Sequence, residues 1–145
     1  MAITTNAICN SFKKELLEAT HNFKSSGGNS FKLALYTSSA TLGKSTTSFT
    51  TDNQVSATGQ DASGGSALTN AGTSLSSDTA LVDFADLSFT GVTLTARGAL
   101  IYNDTASGDP AVCVLNFGSD KTATSGTFTI QFPAFTSSAA VIRIA

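Results

Sequence analysis

Three places in the sequence carry residues of the types that chemistry uses. The first is Gly43-Lys44-Ser45, which follows a strand-like run ending at Thr37 and so imitates the tail of a phosphate-binding loop. Such a loop needs a leading glycine, and Ser38 stands in that place. It also needs a helix N-terminus facing the phosphate, whereas Thr46-Thr47-Ser48-Phe49-Thr50-Thr51 are poor helix formers. The second is His21, the one histidine, on which any Ser-His-Asp chemistry would depend. Cys9 lies twelve positions before it and Cys113 in a distant segment, which is not the spacing of a zinc site. Near the end of a helical pattern, His21 is expected to be polar and solvent-facing, or to meet the helix C-terminal dipole. The third is the pair Asp83 and Asp86. A glycosidase would hold two such carboxylates roughly 5–10 Å apart across a sugar cleft. The plainer expectation is that they flank a β-bulge near Ala85-Asp86, one or both pairing with Arg97 or Arg143 of neighbouring strands. No catalytic, cofactor-binding or metal-binding residue is therefore expected, and the chain reads as non-enzymatic.

The elements that must position these residues can be read from periodicity. Ile8, Phe12, Leu16, Ala19 and Phe23 recur at steps of four and three, which predicts a helix over about residues 6–24. Thr5 or Asn6 would cap its start and Ser25-Ser26-Gly27-Gly28 would end it. Phe31-Lys32-Leu33-Ala34-Leu35-Tyr36-Thr37 alternates with period two and predicts a central strand. From Ser38 to Asp78 the chain is rich in Ser, Thr, Gly, Asn and Asp, with Phe49, Val55, Leu68 and Leu75 as isolated apolar anchors. That length of structureless loop is unusual in a compact domain, so the region reads as short strands and long turns on the body, or as an arm reaching a neighbour. Further strands are predicted over Ala80–Phe89, Val92–Asn103, Ala111–Phe117, Thr127–Phe135 and Ala139–Ile144. The stretches between them, such as Ser107-Gly108-Asp109-Pro110, Gly118-Ser119-Asp120 and Ser125-Gly126, have turn chemistry. The fold class that follows is mainly β: an antiparallel sandwich or barrel with one N-terminal α-helix, as a single domain over residues 1–145.

Composition narrows the partners. Charged residues make up 12% of the 145, about half the usual ~25%, and Ser and Thr together fill more than a quarter of the chain. With a formal net charge of −2 and scattered Lys and Arg, no basic stripe can neutralise a run of phosphates, so nucleic acid is not an expected partner. No segment approaches the ~18 apolar residues of a membrane span, and Met1-Ala2-Ile3-Thr4-Thr5-Asn6 lacks a signal-peptide pattern. Cys9, placed in the helix, and Cys113, placed in a strand, each have apolar neighbours and are expected as small core residues. A glycan-binding sandwich is a competing class. Its sites stack sugars on exposed Trp or Tyr, and here there is no Trp and only Tyr36 and Tyr102. Asn103-Asp104-Thr105 is a sequon in a turn that would matter only in a eukaryotic secretory pathway.

Several stretches carry a resemblance over most of the chain: Ala7-Ile8-Cys9-Asn10-Ser11-Phe12-Lys13-Lys14-Glu15-Leu16-Leu17, Phe31 to Leu42, Ala96-Arg97-Gly98-Ala99-Leu100-Ile101-Tyr102-Asn103, Val114 to Lys121 and Gly126 to Pro133. The sequence resembles small virion structural proteins of tailed bacteriophages. The resemblance implies a place in the particle, with capsid decoration or cement first and a tail, collar or fibre role second. It implies partners that are virion proteins, the major capsid protein above all, and assembly as a homo-oligomer made in the host cytoplasm. It carries over no active-site residue and no cofactor.

Overall fold

A computed structural model describes residues 3–56 and 64–145; residues 57–63 of the polar region, and Met1-Ala2, lie outside the described residues. In chain order the elements are β1 (Ala7–Ile8), α1 (Asn10–Leu17), β2 (Phe31–Tyr36), β3 (Ser66–Ala67), β4 (Asn70–Ser76), β5 (Thr79–Phe84), β6 (Leu87–Asn103), β7 (Ala111–Ile130) and β8 (Ile142–Ile144). They form two open antiparallel sheets, ordered β1-β7-β6-β2-β3 and β4-β5-β8. The chain is thus mainly β with one short helix near its N-terminus, and because neither sheet closes on itself the arrangement is that of a sandwich.

The predicted helix over 6–24 is cut at both ends, for different reasons. At the start, Ala7 and Ile8 pair with Val114 and Cys113, so extended backbone replaces the first turn and Cys9 becomes the N-cap residue. Its side chain makes no capping bond; instead the free N–H of Asn10 donates to the carbonyl of Lys44 at 2.8 Å. At the end, Ala19 has φ 60°, Thr20 N–H returns to Glu15 O and Ala19 N–H to Leu16 O. This is a Schellman closure, with alanine where glycine is usual. Ile8 and Phe23 of the apolar stripe are therefore not helical, although Phe23 is buried.

The longest elements, β6 and β7, absorb what the sequence reads as separate strands and turns. Their pairing slips in register where the turn-like residues fall. Phe89 opposes Phe128 while Val92 opposes Gly126, with Gly91 at φ 63° between them. Ala96 opposes Lys121 while Gly98 opposes Asn116, which leaves Phe117 to Asp120 as a large bulge with Gly118 at φ 81°. Gly, Ser and Asp here kink a continuous strand rather than end it. The parity change near Ala85-Asp86 is likewise no bulge: β5 ends at Phe84 in one sheet and β6 starts at Leu87 in the other, so these two residues are the corner between sheets.

One apolar core spans both sheets. Phe31 of β2 meets Phe84 of β5 at 5.8 Å between ring centroids, and Phe23 stacks on Phe31 at 4.5 Å. Each such ring contributes roughly 1.5–3 kcal/mol by leaving water. Gly98 is required by close packing rather than by φ: a Cβ there would sit 2.5 Å from Leu115 O and 2.8 Å from Ile3 Cδ1.

The polar region lies on the body wherever it is described. Tyr36 pairs with Gln54, Val55 N–H donates to Leu35 O, Phe49 stacks on Tyr102 at 4.6 Å, and β3 adds to the edge of β2. Two substitutions test this account by urea unfolding. Ala19→Gly should raise stability by about 1 kcal/mol by relieving the left-handed backbone, and Gly98→Ala should lower it by about 1–3 kcal/mol by displacing Ile3.

Candidate functional site

An assembly of polar side chains surrounds Asn103, the last residue of β6, which is fully buried. Its Nδ2 donates to Asn29 Oδ1 at 2.9 Å and to His21 Nδ1 at 3.2 Å, while its Oδ1 accepts from the N–H groups of Thr105 and Ala106. Asn29 Oδ1 also accepts from Asn22 N–H at 2.8 Å. With Nδ1 accepting, the hydrogen-bond network assigns the proton of His21 to Nε2, which donates to Glu15 Oε2 at 2.8 Å. The chain is continuous from helix to strand: Glu15, His21, Asn103, Asn29.

His21 is thus buried, contrary to the solvent-facing position expected of it, and its ring packs among Phe12, Phe23 and Phe31 at 4.9, 6.2 and 6.4 Å. The expectation fails because the helix ends at Leu17 and the chain, after the left-handed Ala19, turns inward. Both ring nitrogens are bonded to side chains of the fold. Of this cluster the sequence singled out only His21, and Asn103 only as a sequon residue in a turn. Its position after the apolar run Ala99-Leu100-Ile101-Tyr102 is the one signal that a polar side chain ends a buried strand there.

The two carboxylates are also engaged, and not by arginine. Asp83 is buried on β5 and accepts N–H bonds from Phe84, at 2.8 Å, and from Val141. Exposed Asp86 accepts from Phe132 N–H at 2.8 Å. Together they pin the segment between β7 and β8 to the sheet corner. Arg97 pairs instead with Asp120 across the ribbon at 2.8 Å, and Arg143 donates to Ser137 O. The phase of β5 explains the surprise: Leu81 and Asp83 are buried while Val82 is only half-buried.

Gly43-Lys44-Ser45 forms a turn closed by Thr46, whose Oγ1 accepts from Gly43 N–H at 3.0 Å and whose N–H donates to Gly43 O. Cys9 and Cys113 are free and buried. Burial, with a contribution from Glu15, pushes the Cys9 thiol up to about 11, and burial with the neighbouring Cys9 pushes Cys113 up to about 12. Almost no thiolate exists at neutral pH, which makes both poor nucleophiles. Tyr36 and Tyr102 are buried too, and their hydroxyls donate to Thr50 O at 2.6 Å and Gly64 O at 2.8 Å. Among the described residues no group of three or more His, Cys, Asp or Glu could hold a metal ion.

Compared with protein-family models, curated proteins and solved structures, the chain matches none.

Two predictions follow from the bonds themselves. Asn103→Ala takes away the partner of the Thr105 and Ala106 amides and of His21 Nδ1, and should cost about 2–4 kcal/mol in urea unfolding. Burial, assisted by Asp86 and opposed by the two N–H bonds, holds the Asp83 carboxyl above its ordinary 3.8. A folded-state pKa above the unfolded one means the native state binds the proton more tightly, so that contribution is complete below the unfolded value and is lost as pH rises through the folded one. The stability of wild type relative to Asp83→Asn should therefore decline as pH rises from 3.8, then level off once pH has passed the raised folded-state pKa. A flat difference across a pH series of unfolding curves would show that burial does not penalise the carboxylate.

Proposed function

We propose that this chain is a non-enzymatic structural protein of a tailed-phage particle, acting by protein–protein contact. In that reading it is a capsid decoration or cement protein, a homo-oligomer that binds the major capsid protein and stabilises the shell. The observation that carries the non-enzymatic part is where the reactive side chains go. His21, Asp83, Asp86, Tyr36 and Tyr102 all bond backbone or side-chain groups of the fold itself. The virion part is supported by the sequence resemblance over most of the chain.

The open sheets supply a physical means of attachment. Among the described residues the outermost strands β1, β3, β4 and β8 each pair on one side only, and an edge strand can take a further strand from a partner by main-chain hydrogen bonds. A glycan-binding role is less well supported, because both tyrosines that could stack a sugar are inside. The polar region is not separable from this surface: removing residues 45–66 would take away Phe49, Val55 and β3, and with them part of the core packing.

Quantitative mass spectrometry of purified particles tests the proposal. The expected outcome is a copy number comparable with a shell component, and a particle map with matching density on the capsid. Density on the tail would favour the tail, collar or fibre reading. Absence from particles, or trace copies only, would contradict both.

A further inference from the structure

Two apolar hollows adjoin at Ile8, Ala140 and Val141 and together make one trough along the open side of the sandwich. The first, of about 740 Å³, lies against β1 and β7 and is floored by Val114, Phe117, Phe128 and Ile130. The second, of about 680 Å³, runs between α1 and β8 and is walled by Phe12, Leu16, Leu17 and Ile144. Leu17 is 90% exposed and Ile144 54%, unusual for large apolar side chains on one surface. The trough therefore follows the seam where one outermost strand of each sheet, β1 and β8, has one backbone edge without a neighbouring strand among the described residues.

The charged side chains that line it share one sign. Although the protein is net negative, every charged side chain lining the two hollows is basic: Lys121 in the first, Lys13 and Arg143 in the second. Lys13 Nζ donates to Asn10 Oδ1 at 3.4 Å, and Arg143 donates to Ser137 O at 3.1 Å. Among the described residues none of the three is in a salt bridge with a carboxylate. Edge backbone asks for an extended chain, the apolar floor asks for alternate apolar side chains, and the basic rim asks for acidic ones between them.

We propose that this trough is the docking site for an extended segment of a partner protein in which apolar residues alternate with aspartate or glutamate. It deepens the structural-protein reading and rests on that reading only for where the partner is found. A second copy of this chain fits less well. Its own alternating acidic run, Leu81-Val82-Asp83-Phe84-Ala85-Asp86, is built into β5 and the sheet corner, and symmetric pairing of β8 with β8 would set Arg143 against Arg143.

The test uses the purified chain and two labelled ten-residue peptides, one of alternating valine and glutamate and one with lysine in place of glutamate. Fluorescence anisotropy should show the glutamate peptide binding about tenfold tighter or more at low salt, the gap narrowing as salt is raised. Lys13→Glu combined with Arg143→Glu should reverse the preference, while Lys32→Glu combined with Lys44→Glu, with the same change in net charge, should leave it intact. Equal affinities, no binding of either peptide, or the same loss in both double variants would overturn the proposal. So would a dimer, seen by sedimentation, that Leu17→Asp dissolves and the glutamate peptide does not displace. Because no particle enters this experiment, its failure is distinct from a missing copy in the virion.

Discussion

The side chain of Asn103 can be wholly buried only because both ends of its amide are bonded to other parts of the chain. An amide without partners would cost several kcal/mol to desolvate, a large share of the ~5–15 kcal/mol by which whole domains are stable. The bonds that prevent this reach the segment after the helix through His21 and Asn29, and the turn after β6 through Thr105 and Ala106. Through His21 and Glu15 they also reach α1, a helix of only eight residues that would be marginal alone. The helix, the β6–β7 turn and the extended segment between α1 and β2 thus share one anchor.

The same device recurs at smaller scale. A chain with so few charges and so many short polar side chains cannot hold its long connections by ion pairs. It uses single side-chain handles: the hydroxyl of Tyr36 on Thr50, that of Tyr102 on Gly64, the carboxylates of Asp83 and Asp86 on Val141 and Phe132. Each net hydrogen bond contributes only about 1 kcal/mol, more when charged, but a broken one leaves a buried group unpaired. The asymmetry makes these residues important for uniqueness of structure even where their net stabilisation is small.

This explains which features were legible in the sequence. The mainly antiparallel β class and the strand Phe31–Tyr36 follow from period-two alternation, which depends only on neighbours in sequence. The helix was over-extended because its stripe continues through Ile8 and Phe23, residues that reach the core from extended backbone and cannot be told apart from helical ones by spacing. Gly118 and Ser125 were read as ending strands, yet a bulge and a turn ask for the same φ, and only the long partner strand decides between them. Of the candidate site, the residue types were visible but their partners were not. The bonds Asn103 to Asn29 and Asp86 to Phe132 span 74 and 46 positions, and no local pattern encodes such a pairing.

In the proposed reading, a protein whose polar side chains close its own loops would meet other molecules through backbone edges and apolar seams. The central claim is that these side chains belong to the fold, and native-state hydrogen exchange tests it most directly. The amides of Thr105, Ala106, Phe132 and Val141, all outside regular strand pairing, should exchange only through global unfolding, with the same free energy as the central amides of β2. Exchange of these four amides through local openings several kcal/mol cheaper would contradict it, and would return His21, Asp83 and Asp86 to the list of groups free to act on something else.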